Sequence, residues 1–246
     1  MPGVALSEAG AAPPPGVGWF GKLPSRGDFV GAGGPPALFA AWRDWCRPGL
    51  AAVARGGGPA EDAFLTAPFR RLAVSAGVFG PHGALGVACP GADRAGRLFP
   101  LFVAAERRDL DAADEAALEA ALAAAEDWAE IVETALLGAL DPAASPEALS
   151  RALPPAPGPG PVVAARPAPA EPEAGVPHRL PPALASAEPQ APAPPPRLGG
   201  AAPPPAGPLA LVRTASPVPR RLVHRGPPDA ALFAALFGPP DQEAGA

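Results

Sequence analysis

Gly16–Lys22 reads GVGWFGK and matches the GxxxxGK part of a phosphate-binding loop, in which backbone N–H groups and a lysine cradle the phosphates of a nucleotide. Its neighbours oppose that chemistry. Leu23 stands where a Mg²⁺-binding Ser or Thr is needed, and Pro24 follows where a helix should propagate. Trp19 and Phe20 would crowd the cradle, and Pro13, Pro14 and Pro15 sit where the leading strand should end. Phosphate or nucleotide binding is therefore the alternative reading of this chain, not the leading one. Ala73–Gly77 reads AVSAG, a near match to the nucleophile elbow GxSxG, but Ala73 replaces the glycine that permits the sharp turn. That leaves Ser75 as an ordinary strand-end serine. His82 lies in a Gly/Pro turn, His178 in a proline-rich stretch and His224 near the C-terminal end, so no general base is placed for a triad. Cys46 and Cys89 form no CxxC pair, which excludes a disulfide scaffold or thiolate metal site and suits two small core residues. Most acids fall on one helix and no aspartate-rich metal motif is present. The expectation is a protein that is not an enzyme and takes no cofactor, metal or small-molecule substrate.

Two glycine-rich, aromatic turns carry the charges most tightly specified by their surroundings. The first holds Lys22, Arg26 and Asp28, and the second holds Asp93, Arg94 and Arg97. Asp28 and Asp93 each lie beside or near glycine with arginine close in sequence, the arrangement of carboxylates that cap turn N–H groups while paired to guanidinium. Such residues either form a satisfied ion-pair network or face a partner.

The elements that position them follow from periodicity. Leu38–Cys46 reads LFAAWRDWC, a short buried helix with Pro35 and Pro36 before it and Pro48 limiting it. Phe69–Ser75, Ala84–Cys89 and Leu98–Ala104 read as strands of a meander separated by glycine turns. Asp111–Leu140 reads as one long helix with Leu118, Leu122, Val132 and Leu136 at i, i+3, i+4 spacing. Glu115, Glu119, Glu126, Glu130 and Glu133 fall within an arc of about 60° on it, a stripe that is either a solvated face or a dock for a basic partner. From Pro154 to Gly207, 19 of 54 residues are proline and none is Phe, Trp or Tyr, so burial cannot offset the ordering entropy and a linker is expected. As a flexible coil it would reach about 40 Å. Beyond it, Pro208–Thr214 and Arg220–His224 read as strands and Asp229–Phe237 as a terminal helix too small to bury its own Leu and Phe side chains, so the tail is expected to dock back onto the first part.

Composition limits the classes further. All 14 aromatics are Phe or Trp, and all but Trp128, Phe233 and Phe237 lie between Trp19 and Phe102, where the core must concentrate. Nineteen basic against 24 acidic residues give a net charge of -5, with Lys22 the single lysine, so nucleic-acid binding has little support. No apolar run approaches the roughly 18 residues of a spanning helix. The N-terminal segment lacks the basic and apolar blocks of a secretory signal, so a cytoplasmic protein without membrane insertion is expected.

Gly18–Val30, GWFGKLPSRGDFV, and Pro90–Val103, PGADRAGRLFPLFV, closely resemble the signature segments of the TagF family of type VI secretion-associated proteins. LFAAWRDWC and FLTAPFRRLAVSAGVFG, Phe64–Gly80, are similar to that family's tryptophan helix and following strand in the same order, and Arg221–Phe237 is more weakly similar to its end. The chain departs from the pattern at Gly91, where the family usually has serine, at Phe69, where it has tryptophan, and in LALVRT, Leu209–Thr214, which replaces a tryptophan-rich strand. The resemblance implies a cytoplasmic, post-translational repressor of type VI secretion system assembly that binds an FHA-domain scaffold protein. On it, Lys22, Arg26, Asp28, Asp93, Arg94 and Arg97 become the recognition or structural signature. The metal-binding aspartate motifs of the phosphatase domain fused to some relatives are absent here, so no phosphatase activity is expected. Together with the elements it gives the expected fold: α/β, a single discontinuous domain with a mixed, largely antiparallel sheet flanked by helices as a three-layer sandwich. The expected boundaries are 1–15 disordered, 16–150 the TagF-like part, 154–207 a disordered Pro/Ala-rich linker, 208–238 the docked hairpin and helix, and 239–246 a disordered tail.

Overall fold

Residues 7–8, 12–159, 207–215 and 220–238 are described by the computed structural model. The strands are β1 (Ser7–Glu8), β2 (Val17–Lys22), β3 (Phe29–Gly33), β4 (Arg70–Val74), β5 (Ala84–Cys89), β6 (Leu101–Glu106), β7 (Leu209–Thr214) and β8 (Arg221–Arg225). They form one sheet in the order β1-β3-β2-β6-β5-β4-β7-β8, antiparallel throughout except for the parallel β1–β3 pair.

Side chains alternate between two cores because successive residues of a strand point to opposite faces. In β6, Leu101, Val103 and Ala105 enter one core, and Phe102 and Ala104 the other. A sheet buried on both faces reads as continuous apolar runs rather than as alternation, which is why β5 and β6 are legible as apolar blocks. The first face is covered by α3 (Glu115–Ala124), α4 (Glu126–Ala139) and α5 (Pro146–Ala152), through Leu118, Val132, Leu136 and Leu149. The second is covered by α1 (Pro36–Gly56), α2 (Gly58–Leu65) and α6 (Ala230–Phe237), and is aromatic. There the Trp42 ring stacks on Phe102 with centroids 4.1 Å apart, and Trp45 meets Phe79 at 5.3 Å. The result is the expected mixed, three-layer α/β sandwich built from a discontinuous chain.

Several boundaries differ from expectation for identifiable reasons. The helix expected to be limited by Pro48 continues through it to Gly56. Losing one N–H donor there is outweighed because the packed face runs on: the Phe233 ring of α6 lies so close that a Cβ on Gly49 would sit 2.3 Å from it. The single helix expected over Asp111–Leu140 is two, broken at Ala125, whose ψ of 15° departs from helical geometry. The halves face different strands, α3 against β4 and β7 and α4 against β5, and a bend lets them follow the twist of the sheet. Asp114 starts α3 by accepting the Ala117 N–H at 2.8 Å.

The tail completes the sheet. In β7, Thr214 pairs with Arg70 and Ala210 with Val74, and β8 adds the next antiparallel strand. Trp45 donates its indole N–H to the Asp229 carbonyl at 2.9 Å, and the Asp229 side chain caps α6 at Leu232 N. Arg70, buried, donates to the Leu236 carbonyl at 2.8 Å and to that of Ala235 at 3.2 Å, satisfying carbonyls that the end of α6 leaves open. Of the expected linker 154–207, residues 160–206 lie outside the described residues, as does the tail 239–246. Residues 154–159 follow the domain instead: Ala156 packs against the first core and Arg107 donates to the Pro157 carbonyl. Within 1–15, Ser7–Glu8 pairs with β3 and Pro13 is buried, so the expectation of disorder gives way there. Among the described residues no helix is long and apolar enough to cross a membrane.

Candidate functional site

β2 and β6 are antiparallel neighbours, with Phe20 opposite Phe102. The turn that leaves β2 and the turn that enters β6 therefore emerge at the same end of the sheet, and this brings the two charged segments together. Lys22, the last residue of β2, points its ammonium at Asp93 Oδ2, 2.9 Å away, with the lysine side chain 8% and the aspartate side chain 0% exposed. The same ammonium lies 5.1 Å from the centroid of the Phe29 ring. Asp93 also accepts from Arg97 Nε at 2.7 Å and from the backbone N–H groups of Ala95 and Arg97 at 2.9 and 3.0 Å. Burial pushes the Asp93 carboxyl up, but Lys22, the Arg97 side chain and the two backbone donors outweigh it and hold the group at about 2.

Two further links tie turn to turn. The Arg97 guanidinium donates to the Gly27 carbonyl, and the Arg94 N–H donates to the Arg26 carbonyl at 2.7 Å. Gly96, at φ 78°, makes the reversal that brings Arg97 back to Asp93. Gly91 sits where the resemblance expects serine, and a Cβ there would meet the Phe99 carbonyl oxygen at 2.7 Å, so glycine suits the closure of this turn.

The six signature residues are thus divided by the structure. Lys22 and Asp93 form the buried centre of a knot, and Arg97 straddles it, its side chain 60% exposed. Arg26, Asp28 and Arg94 are exposed at the tip. Asp28 accepts the Phe29 N–H at 2.8 Å, while among the described residues neither the Arg26 nor the Arg94 guanidinium has a hydrogen-bond or ion-pair partner. A guanidinium held by a rigid backbone with its donors unfilled is suited to a carboxylate or phosphate on another molecule.

The other sequence candidates have structural employment. The GxxxxGK segment is strand β2 itself, with no helix after it, and the lysine it would need for phosphate is buried against Asp93. Ser75 accepts the Leu209 N–H at 2.9 Å through its hydroxyl, which joins the tail to β4. His82 contacts Asp111 Oδ2 at 3.0 Å, and this contact, with the Gly83 N–H, lowers the Asp111 carboxyl below its usual range. Cys46 and Cys89 are buried, which raises both thiols well above the range of a reactive thiolate. A groove of about 640 Å³ beside β3 and α1 is lined mainly by apolar and glycine residues, with Arg43 at its side.

What sequence reading missed is the partner of the acidic stripe. Arg71, Arg213 and Arg221 stand abreast on β4, β7 and β8, each opposite the next in register. Three cations in a row would repel one another, and the stripe neutralises them. Arg71 binds Glu133, with Nη2 to Oε2 at 2.9 Å, and Glu126. Arg213 binds Glu119, and Arg221 binds Glu119 and Glu115. Arg225 reaches Glu115 at 2.8 Å. The first of these, Glu133, raises the Arg71 pKa further, and Arg221 leads the groups that lower that of Glu115. The signal was the pair of arginines four apart on one face of a tail strand, RLVHR, but their target lies about a hundred residues away in sequence.

The fold is an α/β sandwich whose charged side chains lock turns and layers together and leave Arg26 and Arg94 exposed at the tip of the turn pair. The chain belongs to the family of the TagF N-terminal domain, type VI secretion system-associated, whose model matches residues 18–155. It is also similar to a crystal structure of PA0076 from Pseudomonas aeruginosa PAO1, at 28% identity and a TM-score of 0.61 over 90% of this chain and 93% of that one. No curated protein matches the chain.

Proposed function

We propose that this type VI secretion-associated protein is a non-enzymatic, cytoplasmic regulator that restrains assembly of the secretion system after translation by binding an FHA-domain scaffold protein through the tip of the turn pair. The reading is supported by family membership and by the resemblance of both turns to the family's signature segments. The observation that carries it is the division of the turn residues: Lys22, Asp93 and Arg97 fix the backbone, and the fixed backbone presents Arg26 and Arg94 outward. The nucleotide alternative loses its ligand, because Lys22 is already paired.

The test is size-exclusion chromatography of the full chain mixed with the FHA-domain protein of the same secretion cluster, together with secretion assays in cells lacking or overproducing the chain. Co-elution, with secretion raised by loss and lowered by excess, is expected. Separate elution with unchanged secretion would contradict the reading.

A further inference from the structure

We infer that the groove between α4 and α5 is a docking site for a basic amphipathic helix of a partner protein. It uses none of the residues of the turn pair and does not rest on the regulatory reading. The groove encloses about 370 Å³, lined by Ile131, Thr134, Ala135, Gly138, Ala148 and Leu149. A Cβ built on Gly138 meets nothing within 4 Å, so the small residues leave open space between the helices. Ile131 and Leu137, on the outer side of α4, are 50% and 63% exposed. A single exposed aliphatic side chain carries no message. Two of them six residues apart, about 120° round α4 on either side of Thr134, broaden the cleft of small residues into an apolar face on which a helix can lay its i, i+3/i+4 and i+7 anchors.

Charge selects the occupant. Asp127 and Glu130 precede Ile131 on the exposed surface of α4, and Asp141 follows Leu137 beyond its end. Among the described residues Asp127 and Glu130 have no ion-pair partner, in contrast to Glu126 and Glu133, which Arg71 occupies. Asp141 accepts the nearby Ala143 N–H at 2.8 Å and has no ion-pair partner among the described residues. Arg151, exposed on α5, offsets one of these acids. The apolar stripe is thus bordered by a net negative rim, complementary to lysine or arginine flanking the apolar face of an incoming helix. A second copy of this chain fits less well, since a twofold contact would set Asp127 and Glu130 against their own counterparts.

The test is fluorescence anisotropy of a labelled Leu/Lys peptide of about eighteen residues, five helical turns, with leucines at i, i+3, i+4 and i+7. It is titrated with the full chain beside a scrambled peptide of the same composition. The patterned peptide is expected to bind at least about tenfold more tightly than the scramble. Leu137→Asp and Glu130→Lys, both at exposed positions, are each expected to weaken it about tenfold with unchanged circular dichroism, and amide shift changes on binding should map to residues 127–152. Equal binding of both peptides, or two variants that bind like the parent, would overturn the proposal. So would a dimer in sedimentation equilibrium that Leu137→Asp dissociates, because the groove would then belong to a second copy.

Discussion

The turn pair and the acidic stripe both assemble opposite charges from distant parts of the chain, yet they leave different surfaces behind. In the stripe, Glu115, Glu119, Glu126 and Glu133 are engaged by Arg71, Arg213, Arg221 and Arg225, so a feature that resembles a dock in the sequence is spent holding α3 and α4 onto β4, β7 and β8. Glu130 alone of the five stays outward without such a partner among the described residues. In the turn pair, one buried carboxylate satisfies a lysine and an arginine, and two other arginines remain exposed. Which charges of a motif are left for a partner thus depends on how many the fold consumes, not on how many it carries.

Breaking the centre of the turn pair is expected to have the largest effect. Lys22→Ala leaves Asp93 buried with Arg97 and two backbone N–H groups as its remaining partners and is expected to cost about 2–3 kcal/mol, read as a shift in the urea midpoint; a loss below about 1 kcal/mol would mean that the knot does not fix the turns. Acid should act on the same group. The folded pKa of Asp93, about 2, is below the unfolded value of roughly 3.9. Its contribution is therefore complete above about pH 5 and is lost as pH falls toward 2. Denaturant midpoints taken from pH 5 to 2 should fall along that window, and Asp93→Asn should flatten this part of the curve.

The stripe should respond less. Glu133→Gln leaves Arg71 with Glu126 and is expected to cost about 1 kcal/mol, diminishing in high salt, because these pairs are partly solvated and share partners. A loss as large as that of Lys22→Ala would erase the distinction between the two regions. The smallest effect belongs to the tip: Arg26→Glu and Arg94→Glu are each expected to change stability by no more than about 0.5 kcal/mol. A larger loss, measured by thermal melting, would show that these arginines serve the fold.

Strands β5 and β6 were legible because an apolar block between glycine turns has few alternatives, and the tail because Leu232, Phe233, Leu236 and Phe237 had to be buried somewhere. β2 and β3 were not, since Gly18, Gly21, Gly31 and Gly33 made them read as loops. The reason for those glycines is tertiary: a Cβ on Gly18 would lie 2.4 Å from the backbone of Gly33 and Gly34. Likewise Pro48 and Ala125 misled in opposite directions, because packing carried a helix through a proline and bent another at a good helix former. At the candidate site, the two charged turns are legible in the sequence, but which of their six residues face solvent is not, since the pairing of Lys22 with Asp93 exists only once β2 and β6 are neighbours.

The central claim is that the tip of a rigid turn pair recognises the partner. Isothermal titration of the FHA-domain scaffold with the full chain and with the Arg26→Glu/Arg94→Glu double variant tests it most directly. Binding by the parent and a loss of at least about tenfold in the equally stable variant is the expected result. Undiminished affinity in the double variant would contradict the account.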